Sequence, residues 1–323
     1  MGGNPELILE AVLATWWGQR TFRAVRRESA FRERYPASSD GIVIGAESRE
    51  YPAGGDGPVF GAQSTSGDRA ILLLHGYNDA PTALDGVARR LQRAGWTVAV
   101  PLLPGHGRSL EAFCLWSAEE ALAASHAAYA DLCSRFGTVA VGGLSMGAAL
   151  ACCVAAESAA RGEGPSGLVL YSPMLVMPPT AQRAHRTSWL WSPITKYGAG
   201  AGGRSIHDES VRGQQIAYRC SSRGSLKALA GVAAAVGRAL PGVRTPTLVF
   251  HSEEDNRIPA PVARVALEGL RPAEREVVWV RGAGHVITVD FGWEAIAERT
   301  VEWLAGRTGS AAAGAPVSGI SLG

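Results

Sequence analysis

Six stretches of this chain are continuous apolar runs with almost no polar alternation: ILLLH (71–75), TVAV (97–100), TVAVGGL (138–144), GLVLY (167–171), TLVFH (247–251) and EVVWV (276–280). A strand of that kind is buried on both faces, so a sheet built from such strands must be covered by helices on both sides. Helical patterns fill the intervals, over 82–94, 117–135, 146–160, 261–270 and 293–305. The alternation predicts an α/β fold, a doubly wound and mostly parallel sheet whose functional loops lie at the carboxyl ends of its strands. With 323 residues the chain can bury the core that such a sheet needs.

One interval breaks the rhythm. Between Tyr171 and Thr247 lie about 75 residues without an evident strand, rich in aromatics and glycine, with a helical stretch at 211–219. An insertion of this size inside a compact sheet is expected to be a helical lid, here over 173–240. The division that follows is an N-terminal helical extension (1–40), the main domain (41–307) and a tail (308–323). The tail is small and polar enough to be disordered.

Composition narrows the function. The formal net charge is only +2, which implies no nucleic acid or other polyanionic partner. The five cysteines have neither paired nor metal-ligand spacing, as expected of free thiols in a reducing compartment. The segment LILEAVLATWWG (7–18) carries Glu10 and is too short to span a bilayer, and no basic residue precedes it as in a signal peptide. Leu7, Ile8, Ala11, Val12, Thr15 and Trp16 recur at helical spacing, followed by Arg20, Arg23, Arg26 and Arg27. Two readings stay open: a helix packed on the domain, or peripheral contact with an anionic membrane surface. The expected location is cytoplasmic, free or at the inner membrane surface.

The chemistry gathers around Gly143-Leu144-Ser145-Met146-Gly147, a G-x-S-x-G run between a strand and a helix. A turn that tight puts the serine hydroxyl clear of the sheet and leaves no room for side chains two residues to either side. The helix that follows aims its positive end at any anion formed there. A serine hydroxyl needs a general base. His285, in GAGHVITVD, follows the last apolar run, and Asp255, in HSEEDNRIP, follows TLVFH. The order Ser145, Asp255, His285 is the one this architecture requires. His251, His106, Glu253 and Glu254 are rivals by residue type but sit less well in that order. Backbone donors for an oxyanion are expected from Met146 and from Tyr77, in the loop His75-Gly76-Tyr77, with His75 as a brace.

The blocks LLLHGYND, PLLPGHGRS, GGLSMGAAL, HSEEDNRIP and AGHVITVD together resemble the α/β-hydrolase superfamily, and within it bacterial carboxylesterases and monoacylglycerol lipases. The likeness covers residues 69 to 306. It implies hydrolysis of a small ester or a monoacylglycerol with Ser145, Asp255 and His285 as triad, Tyr77 and Met146 as oxyanion amides, and neither metal nor cofactor. Leu175, Val176, Met177, Trp189, Leu190 and Trp191 are candidates for an apolar acyl pocket, or simply pack the lid. Alternatives on the same residues are a non-catalytic or slow ligand sensor, acyl transfer, and amide hydrolysis.

Overall fold

The computed structural model describes residues 5–60, 67–199, 205–272 and 274–307, with side chains from residue 15 onward. The tail 308–323 and the side chains of Leu7, Ile8, Ala11 and Val12 therefore lie outside the described residues.

In chain order the structure forms α1 (Pro5–Arg34), β1 (Arg49–Tyr51), β2 (Arg69–Leu74), α2 (Asp85–Arg93), β3 (Thr97–Val100), α3 (Leu110–Leu115), α4 (Ala118–Arg135), β4 (Thr138–Leu144), α5 (Met146–Ala160) and β5 (Leu168–Tyr171). There follow α6 (Pro179–Arg186), α7 (Ser188–Trp191), β6 (Gly198–Ala199), α8 (Glu209–Arg212), β7 (Cys220–Ser221), α9 (Arg223–Ala239), β8 (Thr247–Ser252), α10 (Ala260–Leu267), β9 (Arg275–Val280) and α11 (Trp293–Ala305). Seven strands make one sheet in the order β1-β3-β2-β4-β5-β8-β9, while β6 and β7 pair separately. Only the β1–β3 pairing is antiparallel; every other neighbour in the large sheet is parallel.

The pleat explains why the strands read as unbroken apolar runs. Alternate residues point to opposite faces: Leu72, Leu74, Val141, Leu170 and Val249 enter one core, Ile71, Leu73, Val98, Val169 and Phe250 the other. Val87 and Leu91 of α2 and Ile296 and Leu304 of α11 cover the second face. The first is covered by α3, α4, α5, α9 and α10, through residues such as Phe113, Leu132, Leu150, Leu229 and Ala263. A one-residue slip would exchange the two sets, so burial holds the register.

α5 is buried on nearly every side. Its Ala, Gly and Cys side chains let sheet and helices approach all round, as an amphipathic helix would not allow. Cys152 and Cys153 lie within it, and burial pushes the Cys153 thiol up to about 12.

The interval 172–246 differs in two ways from the sequence reading. The helix expected over 211–219 is only α8, which ends at Arg212; Arg219, with φ 52°, stands in left-handed backbone that no helix continues through. The long helix is α9, opened by a reciprocal Ser222–Ser225 capping box and packed through Leu229, Val232 and Val236 into the sheet's own helix layer. The inserted part proper is thus 173–222.

α1 rests on that insertion. Arg20 donates to the Ser192 carbonyl (3.3 Å) and Arg27 to that of Tyr197 (2.6 Å), while Phe31 stacks on Tyr218 at 5.1 Å. Among the described residues no helix is long and apolar enough to cross a membrane.

Candidate active site

Ser145 joins β4 to α5 with φ 54° and ψ −110°, a conformation that is strained for any residue with a Cβ. Its neighbours hold it there. The Ser145 amide donates to Tyr171 O (2.9 Å), and the Met174 amide donates to Ser145 O (3.1 Å). A methyl group on Gly143 would run into the Gly147 backbone, and one on Gly147 into the Leu74 carbonyl, so both glycines are required by packing.

Ser145 also occupies the N-cap of α5, yet its hydroxyl makes no cap bond. The Oγ faces His285 Nε2 instead, at 2.9 Å. His285 Nδ1 lies 2.7 Å from Asp255 Oδ2. Asp255 Oδ1 accepts from the amides of Arg257 (2.7 Å) and Ile258 (2.8 Å). Burial alone would raise the Asp255 carboxyl. The charge and hydrogen bond of His285, helped by the Ile258 amide, outweigh it and hold the group below the ordinary carboxylate range. With Asp255 ionised, Nδ1 is the donor, which leaves Nε2 to accept the Ser145 hydroxyl proton. Three residues from three strand ends are brought together in one hydrogen-bonded line.

The loop after β2 closes the other side. A methyl on Gly76 would stand 3.5 Å from Ser145 Cβ, so this loop abuts the Ser145 backbone. His75 Nε2 accepts from the Leu103 amide (3.0 Å), and its Nδ1 donates to the Gly76 carbonyl (3.0 Å). Burial, reinforced by neighbouring His106, pushes His75 down to about 3, so the ring stays neutral and keeps that donor. Gly76 C=O and Tyr77 N–H belong to one planar peptide and point in opposite directions; holding the first aims the second. The Tyr77 hydroxyl is tied to Ser225 Oγ at 2.8 Å, joining the loop to the start of α9. Met146 is the first residue of α5, so its amide has no intrahelical acceptor.

The rivals are occupied elsewhere. His106 is packed against Phe113 and Trp116, bonded at Nδ1 to Pro104 O, and pushed by burial down to about 4. His251 donates from Nε2 to Ile258 O (2.9 Å) and lies behind Asp255, 3.5 Å from Oδ2. Glu253 pairs with Arg281, and Glu254 accepts the Gly282 amide.

The acyl-pocket candidates separate. Leu175 is buried and Met177 packs beside it on the core. Trp189 is 61% exposed, on the outside of the insertion, and Leu190 is exposed with it. Trp191 donates from Nε1 to Ala184 O, bracing α6 against α7. The pocket reading therefore loses Trp189 and Trp191: one faces solvent, and the other is spent on the insertion's own structure.

Asp290 carries little signal in the sequence beyond its place at the end of HVITVD. It is buried and accepts four amides: Gly284 (2.7 Å) and His207 (2.7 Å) at Oδ2, Asp208 and Phe291 (both 2.9 Å) at Oδ1. One carboxylate thereby pins the His285 loop to the insertion. Its signal, the final letter of HVITVD, is visible, but its partners at 207 and 208 are too distant in sequence to be read. Among the described residues no group of three or more His, Cys, Asp or Glu is arranged to hold a metal ion.

A parallel sheet with a serine on a strained strand–helix turn, and with histidine and aspartate from later strand ends, defines an α/β-hydrolase. The more particular assignment follows from comparison with known proteins. The family described as Serine aminopeptidase, S33, matches residues 65–291, and this chain belongs to it. It is 28% identical over 244 residues to a thermostable monoacylglycerol lipase of Bacillus sp. (strain H-257), covering 76% of this chain and 93% of that protein. It is similar to a structure from work on the metagenome-derived lipolytic enzymes LipS and LipT, with a TM-score of 0.70, 27% identity, and coverage of 82% of this chain and 99% of that one. The Paleococcus ferrophilus monoacylglycerol lipase shares the fold at a TM-score of 0.64 and 18% identity, covering 81% and 98% of the two chains.

Proposed function

We propose that this chain hydrolyses carboxylic esters through an acyl-serine intermediate, and that monoacylglycerols are among its substrates. The observation that carries this reading is the unbroken line Asp255–His285–Ser145, ending on a hydroxyl in left-handed backbone. The relatives named as a monoacylglycerol lipase and, at 23% identity, a Bacillus subtilis carboxylesterase support the substrate class.

In this reading Ser145 Oγ attacks the ester carbonyl as His285 Nε2 takes its proton. Asp255 keeps the imidazole in the receptive tautomer and stabilises the imidazolium. The carbonyl oxygen becomes an anion held by the amides of Tyr77 and Met146; one such donor is worth about 2.7–4 kcal/mol in the transition state. His285 then returns the proton to the departing alkoxide, and the alcohol leaves. Water, deprotonated by His285, attacks the acyl-serine and frees the acid and the enzyme. Met177, partly buried against the core, is the apolar surface proposed for the acyl chain.

The test is a panel of nitrophenyl esters from C4 to C12 with wild type and Ser145→Ala in parallel, alongside fluorophosphonate labelling. Activity and labelling that both vanish in the variant are expected. A wild type that leaves every ester uncut sinks the reading, and a strong preference for C4 removes the lipid substrates. The family's description as an aminopeptidase favours one second reading, amide cleavage by the same residues, which aminoacyl nitroanilides would reveal.

Contact with a membrane belongs to this proposal. Trp17, Phe22 and Val25 stand exposed on α1 beside Arg23 and Arg26, a combination suited to the surface of an anionic bilayer on the cytoplasmic side. Trp17→Ser/Phe22→Ser should lower binding to anionic vesicles; unchanged binding removes this part.

A further inference from the structure

Asp255 and His285 leave the sheet on neighbouring strands. β8 and β9 stay in register as far as Ser252 and Val280, and beyond that pair each chain makes its own loop. The near ends of the two loops are tied directly. Ser252 Oγ donates to Ala283 O (2.5 Å), and the Gly282 amide donates to Glu254 Oε1 (2.8 Å). Past the triad members the arrangement changes. Among the described residues, no hydrogen bond runs directly between 256–258 and 286–289.

Ser205, in the insertion, spans that gap. Its hydroxyl accepts from Arg257 Nε (2.6 Å) and donates to Asn256 Oδ1 (3.2 Å), while its carbonyl accepts the Val286 amide (2.9 Å). The roles are forced, because a guanidinium can only donate and the serine proton is then free for the amide oxygen. Asn256 directly follows Asp255, and Val286 directly follows His285. Arg257 adds a backbone link to the acid, its amide donating to Asp255 Oδ1 (2.7 Å). One residue thereby reaches the neighbours of both partners in the 2.7 Å contact between Asp255 Oδ2 and His285 Nδ1.

The segment that carries Ser205 is itself fixed. Ile206 is buried in the core that α2 and α11 cover. Arg212 donates to the carbonyls of Ile206 (2.8 Å) and His207 (3.0 Å). The next two amides, of His207 and Asp208, are taken by Asp290 of the base loop, and His207 Nδ1 lies 3.1 Å from Gly282 O. By its bonds 205–208 belongs to the site; only its place in the chain puts it in the insertion. Such anchoring matters to a base, since misplacing a catalytic group by about 1 Å costs about 10²-fold in rate.

We propose that Ser205 is a positioning residue for the triad, holding the acid loop and the base loop at one fixed separation without touching the reacting atoms. This role rests on the triad of the ester-hydrolase reading and deepens it, because His285 serves as base in both acylation and deacylation.

The test compares wild type with Ser205→Ala, Ser205→Thr, Arg257→Met and the Ser205→Ala/Arg257→Met double variant. For each, kcat and KM on a nitrophenyl ester, the fluorophosphonate labelling rate of Ser145 and the melting temperature are measured. The proton between His285 Nδ1 and Asp255 is followed as a low-field resonance in proton NMR, assigned by its loss in His285→Gln. Ser205→Ala should lower kcat and the labelling rate together by about 10- to 100-fold, leave KM within about twofold, and shift or broaden the resonance. Ser205→Thr, which keeps the hydroxyl, should recover most of both rates. The double variant should be little slower than the worse single one, because both changes remove the same bond. A serine that merely supports its loop would lower the melting temperature and leave the rates per active site, and the resonance, as in wild type. That result, or a Ser205→Thr as slow as Ser205→Ala, would overturn the proposal. A wild type that labels yet cleaves no ester would sink the hydrolase reading instead, and the labelling rates and the resonance would still decide the role of Ser205.

Discussion

A methyl group on Gly147 would collide with the Leu74 carbonyl, whereas Trp189, in the insertion, leaves 61% of its surface to solvent. The floor under Ser145 and the insertion beside it are built by different means. The floor is backbone packed on backbone: glycines where strand, turn and helix meet, amides aimed by neighbouring carbonyls, a hydroxyl held in left-handed geometry. The insertion is a set of short helices tied by side-chain bonds, among them Trp191 to Ala184, Arg27 to Tyr197 and Asp290 to His207 and Asp208. Chemistry that needs sub-ångström placement resides in the first, and contacts that tolerate variation in the second.

Five measurements would break or sharpen that contrast. The largest effect is expected from Ser145→Ala, which should lower kcat on a nitrophenyl ester by about 10⁴-fold or more while leaving the melting temperature nearly unchanged. Second is Gly147→Ala, whose methyl has nowhere to go; a loss above about 4 kcal/mol, or no soluble protein, is expected in urea unfolding. Asp290→Ala comes next. It strands buried amides on both sides of the junction, at about 1–3 kcal/mol for each left without water. It should also reduce kcat, because Gly284 adjoins His285.

Acid comes fourth. His75 and His106 are neutral in the fold, pushed by burial to about 3 and about 4, but would regain about 6.5 on unfolding. Their contribution is intact above pH 6.5 and drains away as pH falls toward 4 and then 3, which a pH series of melting curves would trace. Asp79 has the opposite sign. Its folded value of about 6, raised by burial, exceeds the unfolded one, so its ionisation opposes the fold above pH 6. Asp79→Asn should therefore stabilise at pH 8 by up to about 3 kcal/mol, a gain that shrinks as pH drops from 6 to 4. The smallest effect is expected on the insertion's outer surface. Trp189→Ser and Leu190→Ser should stay within about 0.5 kcal/mol of wild type and leave C4 ester turnover unaltered. A large loss there would erase the distinction between the two regions.

The same contrast governs what could be read in advance. β2, β4, β8 and β9 appear in the sequence because burial on both faces forbids polar residues along them. Ser145, Asp255 and His285 stand out because each lies in the turn or loop that leaves such a strand. β1 leaves no trace in the sequence, because its three residues, Arg49–Tyr51, carry no period. α9 is hard to read because Ala and Gly dominate it and blur its apolar stripe, although its Ser222–Ser225 cap is a clear start signal. The aromatics of 189–191 suggested a pocket because residue type says nothing about which way a short helix faces.

A serine at the head of a helix ordinarily turns its oxygen inward and closes the open end of the spiral. Ser145 turns outward, and the first coil of α5 is left unsealed at the very spot where negative charge would gather. In the proposed reaction, a vacancy that would count as a flaw in any other helix becomes a berth for an anion, at the cost of a weaker beginning to the most deeply enclosed rod in the molecule.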